Sequence, residues 1–172
     1  VAGDFQNLAT AYIGLKDYDN AINIYQKIIQ IDPNNKAIFK VLGDLQMKVA
    51  DHPAALDSYK NALNLEPEKF EALYDFGVVL HVNKYHDEAI EILSKAHKID
   101  PNHIECMNKM ASCLSAVGNY NEAKIKYQKL INLVPDALAP VIDYASCLIY
   151  EGKYDEAIEM LKEILVKKPN DS

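Results

Sequence analysis

Tyr18–Pro33 reads YDNAINIYQKIIQIDP, and close copies of it return at a fixed interval along the chain. Its alanine recurs as Ala21, Ala55, Ala89, Ala123 and Ala157, and its closing proline as Pro33, Pro67, Pro101, Pro135 and Pro169, both in steps of 34 residues. A period of this length belongs to stacked helix-turn-helix units, each of which buries its apolar face only against its neighbours. Counted from Ala2, Lys36, Phe70, Ile104 and Leu138, five units span 2–35, 36–69, 70–103, 104–137 and 138–171. They are read as a single array.

Each unit reads as a helix A, a tight turn, a helix B and a linker of Asp, Glu or Asn beside proline. In the first unit the period predicts helix A over Gly3 to Leu15, with Phe5, Leu8, Ala9 and Tyr12 on one stripe, and helix B over Asp19 to Ile31. Slot 8 holds Ala9, Gly43, Gly77, Ala111 and Ala145, and slot 20 is the alanine series, so the two helices of a pair are expected to approach closely there. Gly118 and Gly152 stand where a left-handed residue ends helix A, while Lys16, Ala50 and Lys84 fill that slot elsewhere and predict strained or differently shaped turns. Val134-Pro135-Asp136-Ala137 lacks a polar residue before proline, so the fourth junction is expected to depart most from regular stacking.

A bulky residue at slot 4 (Phe5, Phe39, Leu73, Met107, Val141), the small slot 8, the alanine at slot 20 and the proline at slot 32 together resemble the tetratricopeptide repeat over practically the whole chain. The resemblance implies an all-α, right-handed α-solenoid of ten helices that acts as a non-catalytic scaffold for protein–protein interaction. In that family a peptide or helix of the partner lies on the concave face, lined by helix A slots 2, 5, 9, 12 and 13. Carried over, the groove residues are Lys40 and Asp44 in repeat 2, and Tyr74, Val78, His81 and Val82 in repeat 3. Repeat 4 contributes Asn108, Ser112 and Ser115, and repeat 5 contributes Ile142, Ser146, Ile149 and Tyr150. Co-chaperones of the family that grip the acidic C-terminal tail of heat-shock chaperones do so with Lys and Asn at set slots. No frame of this chain matches them, and Glu71, Asp75 and Glu105 would repel a carboxylate.

Composition limits the other classes. The net charge of −7 and an acidic excess in repeats 3 and 5 argue against a nucleic-acid partner and favour, modestly, basic over acidic protein partners. All 18 basic residues are lysine, so no guanidinium fork is available. No apolar run has the roughly 18 residues a membrane span needs. No cofactor motif, Gly-rich phosphate loop or nucleophile elbow is present, and the chain is read as not an enzyme. His97, Asp100 and His103 form the one metal-like spacing, but Asp100 already belongs to the repeat's Asp-Pro turn, so no metal is assigned.

Cys106, Cys113 and Cys147 fall at small apolar repeat slots and read as buried thiols in a reducing compartment. With no targeting segment in this fragment, the localisation is expected to be cytoplasmic. The chain is expected to be a fragment of a longer protein. Ile158, Leu161, Ile164 and Leu165 of the last helix B are expected to form an open apolar end suited to further repeats or to end-to-end self-association. Two other readings stay open: a substrate-recruiting arm of a larger enzyme such as a protein glycosyltransferase, and a spacer or self-assembly module.

Overall fold

The structure, a computed structural model, describes residues 2–167, with side chains over 3–164. Ten helices and no strands occur among the described residues. The helices fall into two compact units, Val1–Lys84 and Tyr85–Ser172. The first holds α1 Ala2–Gly14, α2 Tyr18–Ile31, α3 Lys36–Lys48, α4 His52–Leu65 and α5 Phe70–Val82. The second holds α6 His86–Ile99, α7 Ile104–Ala116, α8 Tyr120–Leu133, α9 Leu138–Tyr150 and α10 Tyr154–Lys167. Within each unit, helices consecutive in sequence pack on one another.

The helix starts follow from short polar side chains. Asp17, Asp51 and Asn119 accept backbone N–H groups of Asn20, Ala54 and Glu122, satisfying donors that a helix N-terminus leaves open. Asn35 does the same for α3, and His103 uses its Nδ1 to cap α7 through the Cys106 N–H at 3.1 Å. Pro53 sits in the first turn of α4, where its missing N–H costs nothing.

Each helix A ends on a left-handed residue whether or not it is glycine. Lys16, Ala50 and Lys84 have φ of 59°, 60° and 65°, beside 80° at Gly118 and 78° at Gly152. The hydrogen bonds agree: Asp17 N–H reaches Tyr12 C=O at 2.9 Å and Asn119 N–H reaches Leu114 C=O at 2.8 Å, the same six-residue closure around Lys16 and around Gly118. These turns are therefore strained without being differently shaped, because the closing bonds fix the geometry and the side chain has to accept it. The first helix A also stops one residue earlier than its apolar pattern extends. Leu15 belongs to this turn and is 77% exposed.

The fourth junction, expected to be irregular, is not. Val134 has φ −135° and ψ 72°, beside −131° and 83° at Asp32, and Ala137 N–H closes on Val134 C=O at 3.0 Å as Lys69 N–H closes on Glu66 C=O at 3.2 Å. The linker shape comes from proline and a backbone hydrogen bond, so a polar side chain before proline is not required.

The core follows the small slots. Ala9, Ala21, Ile24 and Ile28 pack with Ile38 and Leu42 in the first unit, and Ala145, Leu148 and Ala157 cluster in the second. Ala9 and Ala21 are completely buried, as the close helix crossing demands. At Gly43 the approach is tighter still: a β-carbon there would lie 2.6 Å from Tyr59 Cε2. Cys106, Cys113 and Cys147 are free and fully buried. At the end of the second unit Ile158 is half exposed and Leu161 and Ile164 are partly covered, while the side chain of Leu165 lies outside the described residues.

Candidate functional site

The residues that helix A slots single out fall into two separate settings, one in each unit. In the first, α3, α4 and α5 frame a depression of about 300 Å³ whose rim carries Lys36, Lys40, Lys69, Glu66, Glu71 and Asp75. These charges are paired off. Lys36 bonds Glu66, Lys40 bonds Asp75, and Lys69 lies 3.7 Å from Glu66 and 3.9 Å from Glu71. The bond from Lys36 holds the Glu66 carboxyl below the usual carboxylate range. Asp44 is also engaged, accepting the phenolic hydroxyl of Tyr59. Tyr74 is half-buried and stacks on Phe70, with centroids 5.8 Å apart and planes 7° from parallel. Val78 and His81 are half-buried along the same helix, and Val82 is half exposed. Neither Tyr74, Val78, His81 nor Val82 lines the charged depression.

The second unit gathers its residues. Ser112 and Ser115 from α7 and Ser146 and Tyr150 from α9 line one open depression of about 420 Å³, together with Tyr120, Tyr127, Ala116 and Asp143. The floor is rigid, since Tyr127 is buried by repeat packing, and burial pushes its hydroxyl pKa far up. One wall is the parallel pair Tyr120 and Tyr150, with centroids 5.6 Å apart. Tyr150 is 70% exposed, so the stack holds an aromatic face toward solvent. Ser146 donates to Ile142 C=O at 2.9 Å, which leaves its oxygen free to accept. Asn108 is half-buried one turn before Ser112, and Ile142 and Ile149 are exposed on α9; none of the three lines the depression.

Asp143 and Tyr120 are lining residues that slot mapping alone leaves out. The signal for Asp143 is its place three residues before Ser146, which puts both on one face of a helix. Burial raises the Asp143 carboxyl pKa above the usual range.

Burial pushes the Cys106 and Cys113 thiols up to about 11 and raises Cys147 as well, keeping all three protonated at neutral pH. His103 Nδ1 serves the α7 cap, and Asp100 accepts the Asn102 N–H at 3.1 Å within its turn. No helix among the described residues is long and apolar enough to cross a membrane.

Comparison with known proteins agrees with this architecture. Two tetratricopeptide repeat family models match, over residues 5–35 and 116–172, and the model of anaphase-promoting complex, cyclosome, subunit 3 matches residues 55–130. No curated protein matches the chain significantly. Among solved structures, one of MamA is 23% identical, with TM-score 0.87 over 98% of this chain and 92% of that one. A MamA structure (residues 41 to the end) from Desulfovibrio magneticus RS-1 is 16% identical, with TM-score 0.87 over 99% of this chain and 97% of that one. The structure of YrrB, described as a TPR protein with an unusual peptide-binding site, is 20% identical, with TM-score 0.83 over 99% and 88% of the two chains. These likenesses establish the fold, an all-α helical solenoid. With two repeat models covering just over half its length and the 34-residue register running through the rest, the chain belongs to the tetratricopeptide repeat family.

Proposed function

We propose that the chain is a non-catalytic interaction scaffold whose five repeats form one array and whose helix A face binds a peptide or helix of a protein partner. The observation that carries this reading is the depression in the second unit, where Ser112, Ser115, Ser146 and Tyr150 converge from two helices. Their slots have no need of an exposed aromatic ring or of three hydroxyls for packing, and a concave, part-aromatic surface with a few polar groups is what peptide recognition uses. YrrB, with the same fold, is described as having a peptide-binding site, which supports assigning the same class of ligand here.

The acidic balance of the chain favours basic over acidic partners. A recruiting arm of a larger enzyme would use the same face and differ only in what else the full protein carries. The test is selection of a displayed random-peptide library on the intact chain and on the Tyr150→Ala variant. The reading predicts peptides that bind the wild type and are lost by the variant with its helicity unchanged. Peptides held equally by both would overturn the helix A face as the site.

A further inference from the structure

Two aspartates at the same repeat slot stand in different circumstances. Asp75 in α5 receives Lys40 of the preceding repeat, and the two side chains form an ion pair. Asp143 occupies the same slot two repeats later, and the slot that Lys40 fills in repeat 2 is Asn108 in repeat 4. Asn108 brings no charge. Asp143 accordingly forms no hydrogen bond or ion pair among the described residues, although it is half-buried on the wall of the serine and tyrosine depression. A partly desolvated carboxylate without a cation is an unfavourable arrangement that an incoming cation relieves. The raised carboxyl pKa of Asp143 reflects the same imbalance.

We propose that Asp143, with the hydroxyls of Ser112, Ser115 and Ser146 around it, receives the ammonium group of a lysine side chain on the bound peptide, the part that Lys40 plays for Asp75 within the chain. The proposal rests on the peptide-binding reading above and names its ligand chemistry. Lysine suits the site because its compact head carries three donors in a rotatable cone, matched here by one carboxylate and several single-oxygen acceptors. Its methylene stem can lie along the Tyr120 and Tyr150 rings, whose faces also attract the charge.

The experiment takes dodecapeptides selected from a random displayed library on the intact wild-type chain, and titrates them calorimetrically into wild type, Asp143→Asn and Asn108→Lys. The proposal predicts lysine at one fixed position of the selected peptides. Replacing that lysine by norleucine weakens binding to the wild type about ten- to hundredfold and binding to Asp143→Asn hardly at all. Asn108→Lys supplies an internal cation at a slot where the chain already carries lysine, and weakens the lysine peptide by a comparable factor. Selected peptides with no lysine preference, with arginine or an acid at that position, or with equal norleucine losses on wild type and Asp143→Asn, would overturn the lysine assignment alone. A selection that enriches nothing on the wild type would overturn the peptide-binding reading and this assignment with it.

Discussion

Tyr150 lies parallel to Tyr120, 5.6 Å between ring centroids and 10° between planes, with most of its surface in solvent. The stack fixes the outer ring without making the fold depend on it. Tyr150→Ala therefore removes an aromatic pair contributing about 0.5–1.5 kcal/mol and lowers Tm by only about 1–6 °C. Peptide affinity is predicted to fall about tenfold or more, since an aromatic anchor of the proposed binding surface is lost. Thermal melts and calorimetric titration of one preparation separate the two effects.

Gly43 lies under the ring of Tyr59, whose hydroxyl is tied to Asp44. Ala at slot 8 coexists with Tyr at slot 24 in repeats 1 and 4, but there slot 9 is Thr10 or Ser112 and not an aspartate. Gly43→Ala gains about 1 kcal/mol of helix propensity and loses about 1–3 kcal/mol to overpacking and to the displaced hydrogen bond. The expected result is a net loss of up to about 2 kcal/mol, read as a lower urea midpoint.

Ala50 holds a left-handed backbone with φ 60°, whereas Gly118 does the same job with no β-carbon to accommodate. Ala50→Gly is predicted to stabilise the chain by about 0.5–1 kcal/mol, and Gly118→Ala to destabilise it by a similar amount. No atom lies within 4 Å of a β-carbon built on Gly118, so the second effect isolates backbone strain. Paired denaturation curves of the two variants check the opposite signs.

His97 Nδ1 is buried without a hydrogen-bond partner, and burial first, then the charges of Lys126 and Lys129, lower its pKa, with Asp100 opposing. The unfolded chain protonates this histidine near its ordinary value of about 6.5, while the folded chain holds it neutral to lower pH. Between those two values the unfolded state binds more protons, so this contribution to stability is complete above about pH 6.5 and declines as pH falls. His97→Gln is predicted to flatten the stability profile between pH 7 and 5.5 relative to wild type, as followed by urea denaturation.

Much of the fold was legible because a 34-residue period repeats every structural requirement five times. Ala9 and Ala21 mark the helix crossing, and the slot shared by Lys16 and Gly118 marks the left-handed turn. The fourth junction was misread because the linker is held by the backbone bond from Ala137 to Val134, which a side-chain pattern does not display. The residues of the candidate site stand at slots visible in the sequence, but their pairing is not visible there. Lys40 and Asp75 are 35 residues apart, and only packing between repeats reveals that one aspartate is neutralised while Asp143 is not. For the same reason Tyr74 reads as a groove residue in sequence, whereas its ring is half-buried on Phe70.

Amide chemical-shift mapping of the labelled chain with one selected peptide decides whether the helix A face of the second unit receives a peptide. The largest shifts are expected at Ser112, Ser115, Asp143, Ser146 and Tyr150, with α8 and α10 surface residues such as Ile125 and Ile158 unmoved. Shifts concentrated at Ile125 and Ile158, with the serine and tyrosine depression silent, would contradict it.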